Sequence, residues 1–215
     1  MRTLVTAVAF TLLPAVAAAD DWLPLFNGKD TAGWRAVNDP KSFQVKDGVL
    51  RIQSTGKAAH LFYVGDLRDG VVRFKDFELE ATVKSEPNAN GGIFIHTDMT
   101  ARLMDQILVN GYEVQLNSSA KEKRKTGSLY DVVDLDKSPV DETQWFTVRV
   151  VVKGKRITVA LDGKEVVDYT EPKDAKRSPD RAGRLLAAEG GGIALQAHDP
   201  KSVWYFKEIK VRRLP

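Results

Sequence analysis

The sequence predicts an all-β fold, a sandwich or jelly roll of antiparallel sheets. Apolar and polar residues alternate through many short runs, which is the period of a half-buried strand. Gly and Asp turns punctuate those runs at regular intervals. One segment alone carries a helical period, so helices cannot supply the core.

The elements follow in order along the chain. FQVKDGVLRIQ (43–53) is two alternating runs around Asp47-Gly48, a hairpin signal because Gly accepts the positive φ of a tight turn. FKDFELEATVK (74–84), GGIFIHT (91–97) and GYEVQL (111–116) are predicted strands. Between them, DMTARLMDQILVNG (98–111) places Leu103, Met104, Ile107 and Leu108 on one helical face, with Gly111 as its stop, so a short helix is predicted there. WFTVRVVVKGKRITVALDGKEVVDY (145–169) holds three runs separated by Lys153-Gly154-Lys155 and Asp162-Gly163, a β-meander. EPKDAKRSPDRAGRLLAAEGG (171–191) is polar, carries Pro172 and Pro179, and is predicted as a long loop with room for one helical turn. Loops of that length in compact domains are often functional lids. GGIALQAH (191–198) and VWYFKEIKVRRL (203–214) complete the strands.

Residues 1–19 have the form of a secretory signal: Arg2, then an apolar stretch from Leu4 to Val16, then Ala17-Ala18-Ala19 before Asp20. The run is short for a membrane span. An exported, periplasmic or extracellular protein is therefore expected, with no span in the mature chain and one domain over 20–215. Cysteine is absent, which excludes disulfides, a thiolate nucleophile and a lipoprotein anchor. The net charge of +3 falls to +2 once Arg2 is removed, too mild a balance to call for nucleic acid. KEKRK (121–125) has no interleaved aromatic residues and is read as a solvated loop. Oligomeric state is left open.

Parity assigns strand residues to faces. Glu113 and Gln115 oppose Tyr112, Val114 and Leu116; Phe94 and His96 oppose Ile93, Ile95 and Thr97; Ala194, Gln196 and His198 oppose Ile193, Leu195 and Ala197; Glu78 and Glu80 oppose Phe77 and Leu79. Outer faces are usually just wet, and Glu78 and Glu80 fit that description. His198 is as readily a surface histidine at a strand end as a site residue, whereas Phe94 would offer His96 a stacking platform. The polar rows nevertheless collect Glu, Gln and His rather than Lys, Ser and Thr. Trp34, Trp145 and Trp204 suit core or edge anchoring better than sugar stacking. No GxGxxG, P-loop, HExxH or GxSxG motif is present, and Glu113 has no local carboxylate partner for ordinary glycosidase chemistry.

Six motifs then occur in one order: FNGKDTAGW (26–34), NGGIFIHTD (90–98), YEVQL (112–116), TGSLYDV (126–132), the W-x-x-V-x-V…G-x-x-I-x-V-x-L-D-G-x-x-V meander (145–166) and GGIALQAHD (191–199). In these the chain resembles the 3-keto-disaccharide hydrolase family, over nearly all of the mature sequence. The resemblance implies a concanavalin A-like jelly roll of two antiparallel sheets with a concave, sugar-facing surface. It also implies exported enzymes acting on glycosides oxidised to a ketone at carbon 3. Glu113 and Gln115 take the Y-E-x-Q positions, Tyr130 the T-G-x-x-Y position, and Gln196 and His198 the L-Q-x-H positions. His96 departs from the family pattern, where an arginine is common, and the insertion at 98–110 is long.

A ketone at carbon 3 acidifies the proton on carbon 2, so a base can remove it, the carbon 1 substituent leaves, and water adds back. Such a site needs a base, a proton donor and a stabiliser of the enolate oxygen. The expected catalytic residues are Glu113 or His198 as base and Tyr130 or His96 as donor. Gln115, Gln196, Phe94 and Glu80 are the expected substrate contacts. A His, Glu and Gln cluster could also hold a divalent metal on the enolate. The alternative is a non-catalytic carbohydrate-binding module; a purely structural exported domain would leave the Glu, Gln and His clustering unexplained.

Overall fold

A computed structural model describes residues 22–215, so the predicted signal at 1–19 lies outside the described residues. The strands are β1 (Leu23–Pro24), β2 (Trp34–Val37), β3 (Phe43–Lys46), β4 (Val49–Ile52), β5 (Ala59–Tyr63), β6 (Phe77–Ser85), β7 (Asn90–Thr97), β8 (Tyr112–Asn117), β9 (Phe146–Lys153), β10 (Arg156–Leu161), β11 (Lys164–Thr170), β12 (Gly192–Ala197) and β13 (Trp204–Arg213). They form two sheets, as predicted. The eight-stranded sheet runs β11-β10-β9-β6-β13-β4-β3, with β1 also on β13; the five-stranded sheet runs β2-β5-β12-β7-β8. Every neighbouring pair is antiparallel.

Period-2 sequence dictates the large sheet. In β6, Phe77, Leu79, Ala81 and Val83 are buried. They join Val148, Val150 and Val152 of β9 in the main core, against Ile93, Val114 and Leu195 from the five-stranded sheet. Each Val, Leu, Ile or Phe among them contributes roughly 1.5–3 kcal/mol by leaving water. The Asp47-Gly48 turn links β3 and β4 with φ of 52° and 76° at its two central residues, as its sequence requires.

The five-stranded sheet differs because both of its faces are buried. Every residue of β5, β8 and β12 is buried. Its second face carries a separate cluster of Phe62, Val64, Phe94, Leu108 and Ala194. Segments 98–110 and 171–191 contribute the cover: Leu108 packs into the cluster, and the Arg184 guanidinium lies 5.1 Å over the Phe94 ring. The polar rows of this sheet are therefore enclosed rather than solvated.

Two expectations need correction here. Segment 98–111 is not a helix. Ala101 bridges Leu108 across a turn, and Leu103 and Met104 at its tip are 90% and 85% exposed. Asp98 accepts the Thr100 backbone N–H and Asp105 accepts that of Ile107, local bonds that compete with helical ones. The second correction concerns Glu80. It belongs to β6 in the other sheet, where it pairs with Lys210 at 2.8 Å, far from the face that gathers Glu113 and Gln196. Alternation defines a face but not the sheet that owns it. The loop 171–191 holds one 3-10 turn, Pro179–Arg181, as its sequence allows.

Candidate functional site

The register of β8, β7, β12 and β5 builds the site. Gln115 pairs with Gly92, Gly92 with Gln196, and Gln196 with His60, which makes one polar row across four strands. One residue pair further along, Glu113 pairs with Phe94, Phe94 with Ala194, and Ala194 with Phe62. The glycine in the polar row is a spatial requirement: a Cβ at Gly92 would stand 2.6 Å from Glu113 Oε1. The carboxylate therefore lies over a bare stretch of backbone.

Glu113, Gln115, Gln196, Tyr130 and His198 line one small cavity of about 40 Å³, together with Asn90, Glu122, Ile107 and Arg181. It adjoins a groove of about 480 Å³ through the shared residues Asn90, Glu122 and His198. Gln115 donates to Asn90 Oδ1 at 2.9 Å, while the buried Oε1 atoms of Gln115 and Gln196 have no partner among the described residues. Buried acceptors are almost always satisfied, so these two are suited to hydroxyl donors from a ligand. His198 Nδ1 bonds Asp199 Oδ2 at 2.9 Å, which leaves Nε2 as the other ring nitrogen, and the side chain is 36% exposed. Tyr130 donates to Glu122 Oε2 at 3.3 Å, and its ring has Arg124 and Arg181 over it at 4.5 and 5.3 Å.

Electrostatics differ sharply among these groups. Burial pushes the Glu113 carboxyl upward, opposed by the charges of Arg184 and His198. Burial also raises the Tyr130 phenol, with Glu122 adding to the effect. For Glu122, burial is outweighed by the Arg124 backbone N–H and its guanidinium, so that carboxyl is held low. Among the described residues, no three His, Asp or Glu side chains gather as a metal's ligands would.

Two expected site residues, the candidate donor His96 and the candidate contact Phe94, do not reach the cavity. His96 has φ of +52° at a register shift between β7 and β12, where β7 carries an extra residue. The bulge rotates its ring off the Phe94 face and onto Phe77 of the opposite sheet, with centroids 6.0 Å apart, and Nε2 donates to the Lys75 carbonyl at 2.9 Å. Phe94 is fully buried beneath Arg184, so it is no platform for a sugar.

Other residues of the site were not anticipated. Arg184, Arg181, Glu122 and His60 all bear on it. His60 is buried edge-on against Phe94, 5.4 Å between centroids, and its Nε2 lies 3.5 Å from the Gln196 amide. Burial, then the Arg184 charge, pushes it down to about 3, so it is neutral. The parity rule applied to AHLFY would have placed His60 opposite Ala59 and Leu61; the run is too uniformly apolar to advertise a strand edge.

The loop bearing Arg181 and Arg184 is clamped at its base. Glu171 accepts from Tyr112 Oη at 2.6 Å, Lys155 Nζ at 2.6 Å and the Leu186 N–H at 2.7 Å. Burial raises this carboxyl, but those three donors outweigh it and hold it below the usual range. Its contribution to stability is thus present above the unfolded carboxylate range and lost as pH falls through the lower folded value. Glu171→Gln is expected to cost about 1–3 kcal/mol at pH 7. The difference from wild type should shrink as unfolding is measured toward pH 3.

Residues 21–212 match the 3-keto-alpha-glucoside-1,2-lyase-like domain family. A 3-keto-disaccharide hydrolase of Bacteroides thetaiotaomicron is 22% identical over 178 residues, which is 70% of this chain and 59% of that protein. The chain therefore spans well under two thirds of that relative. A candidate glycosyl hydrolase from Parabacteroides distasonis superposes with a TM-score of 0.74 at 22% identity, covering 95% of this chain and 99% of the other. A carbohydrate binding module from Bacillus subtilis gives 0.53 at 17% identity, covering 84% and 96%. Both share the jelly-roll fold.

Proposed function

Because the chain belongs to the 3-keto-alpha-glucoside-1,2-lyase-like domain family, we propose that it cleaves glycosides whose sugar carries a ketone at carbon 3. The observation that carries this reading is the meeting of Glu113, Tyr130, His198, Gln115 and Gln196 in one cavity that adjoins a sugar-sized groove. Glu113 takes the proton from carbon 2. Its buried carboxylate is a stronger base than a solvated one, and an α-keto C–H is acidic enough to yield to it. The electron pair forms the enolate at carbons 2 and 3. Arg181, whose side chain lines the cavity, is placed to offset the charge on that oxygen.

Collapse of the enolate restores the ketone, forms the carbon 1–carbon 2 double bond and expels the glycosidic oxygen. His198 stands where the cavity meets the groove, oriented by Asp199, and supplies a proton to the departing oxygen. Water then adds at carbon 1 and carbon 2 regains a proton, giving net hydrolysis. Gln115 and Gln196 accept from sugar hydroxyls through their unpaired Oε1 atoms. Tyr130 fixes Arg181 beneath its ring and anchors Glu122. The signal at 1–19 would deliver this activity outside the cytoplasm.

A carbohydrate-binding module is the second reading, favoured by the fold shared with such a module. Incubation with 3-keto-disaccharides and their unoxidised parents separates the two. Sugar release from the keto forms alone is expected; binding to either form without release would replace the enzyme by the module.

A further inference from the structure

Arg184 is costly to the fold if stability is its only purpose. It is 1% exposed, and among the described residues its Nε and Nη1 atoms have no hydrogen-bond partner. Buried guanidinium groups without full hydrogen bonding are costly, and replacing a whole buried ion pair by well-packed apolar groups is often neutral or stabilising. The surroundings here would accept such groups, since Phe94, Phe62 and Leu108 form an apolar cluster beneath Arg184.

The backbone nevertheless delivers this side chain with care. Gly183 must be glycine, because a Cβ there would lie 2.1 Å from Asn110 Oδ1 and 2.6 Å from the Val109 carbonyl. The Gly183 carbonyl accepts from the Gly111 N–H at 2.9 Å, two residues before Glu113. The Arg184 N–H donates to the Arg181 carbonyl, and the Arg184 carbonyl accepts from Arg177 Nε at 2.9 Å. Arg177 in turn donates to Tyr112 and Tyr169, so the strap is fastened on both sides. Among the described residues, the one polar contact this produces for the guanidinium is Nη2 to Glu113 Oε2, at 3.4 Å.

We propose that Arg184 is a positioning residue for Glu113, holding that carboxylate ionised and aimed into the cavity from behind. This rests on the reading of Glu113 as the base. Arg184 does not line the cavity and touches no substrate; it acts through the carboxylate alone. The other groups facing Glu113 do not replace it. His198 is partly solvated, Arg181 is engaged over Tyr130, and Glu122 opposes ionisation. Around Arg184 itself, Arg102 and Arg181 repel, while Tyr130 and the neutral His60 supply no counter-charge. Glu113 and Arg184 are thus each other's counter-ion in an enclosed layer. A buried carboxylate that loses its cation takes up a proton instead.

Two variants test this. Arg184→Met keeps length and apolar packing on Phe94, and Arg184→Lys keeps the charge. The pH–rate profile of 3-keto-disaccharide cleavage and a ¹³C NMR titration of the Glu113 carboxyl are both recorded. With Arg184→Met, the acid limb and the Glu113 titration should move up by at least about one pH unit, lowering turnover on that limb roughly tenfold, with recovery toward wild type at higher pH. Arg184→Lys should move both less. Arg184→Met leaves Glu113 buried without its cation, so it should unfold more easily wherever that carboxylate is ionised, and turnover is normalised to folded protein. An unchanged Glu113 titration in Arg184→Met, or in the neutral Arg184→Gln if Met does not fold, overturns the proposal. If wild-type protein cleaves no keto-glycoside, the enzymatic reading fails, yet the titration still decides whether Arg184 controls the carboxylate.

Discussion

Glu113→Gln should lower the cleavage of a 3-keto-disaccharide by roughly 10³-fold, the scale of a lost general base. The substitution is nearly isosteric, so the cavity and its adjoining groove should persist. Substrate affinity should then change little, and the loss should fall on kcat rather than KM. Stability is a separate matter. Removing the carboxylate leaves Arg184 buried at 1% exposure with its one counter-charge gone. The variant should therefore unfold more easily, by about 3–5 kcal/mol if the guanidinium stays buried, and turnover must be normalised to folded protein. Retention of more than a tenth of wild-type turnover per folded molecule would remove Glu113 from the role of base and leave His198 as the candidate.

Gly111→Ala should be among the most damaging single changes to the fold. Gly111 has φ of +77°, and an added Cβ would lie 2.3 Å from the Ile95 carbonyl oxygen and 2.6 Å from the His96 carbonyl carbon. Both are backbone atoms, which cannot rotate away. The same residue donates its N–H to Gly183, the bond that ties the Arg184 strap to β8. An expected loss of about 4 kcal/mol or more places this among exceptional substitutions, and corresponds to a fall in Tm of roughly 10 °C for a chain of this size. Gly48→Ala is the control. Its φ is +76°, but nothing lies within 4 Å of the new Cβ. It should cost only about 1 kcal/mol, from the left-handed backbone alone. Comparable melting curves for the two variants would mean that the convergence of strands at Gly111 is not tight.

How much of this was legible in the residues depends on which physical rule was in force. The two-sheet architecture followed from period-2 alternation, because a strand with one apolar row has to bury it. The same rule placed Glu113, Gln115 and Gln196 on one kind of face, and register brings them into adjacent rows. It failed at His96, because a bulge adds a residue and reverses parity beyond it, and nothing in GGIFIHT marks the bulge. It failed differently at Glu80, which has the right parity in the wrong sheet. Helical spacing in 98–110 was real, yet Asp98 and Asp105 offered their own turns, and Leu103 and Met104 were left in solvent.

Arg184 was illegible for another reason. It is one of five basic residues in the segment 171–191, and composition marks that segment as solvated. What sets Arg184 apart is Gly183 beside it, which admits the strap against Asn110 and sends the next side chain inward. Only the clamp through Glu171 and Arg177 makes that placement firm. A glycine-arginine pair in a polar loop has no signal of its own until its packing partners are known.

The central claim is that a proton leaves carbon 2 before the glycosidic bond breaks. Cleavage of a 3-keto-disaccharide in D₂O tests it directly, with deuterium at carbon 2 of the released keto sugar read by NMR or mass spectrometry against an enzyme-free control. Elimination followed by addition of water predicts one deuterium at carbon 2 in every turnover, and its absence, with turnover, from the Glu113→Gln variant. Cleavage that leaves carbon 2 fully protonated would mean direct displacement at carbon 1, and the account of Glu113 as a carbon base would be wrong.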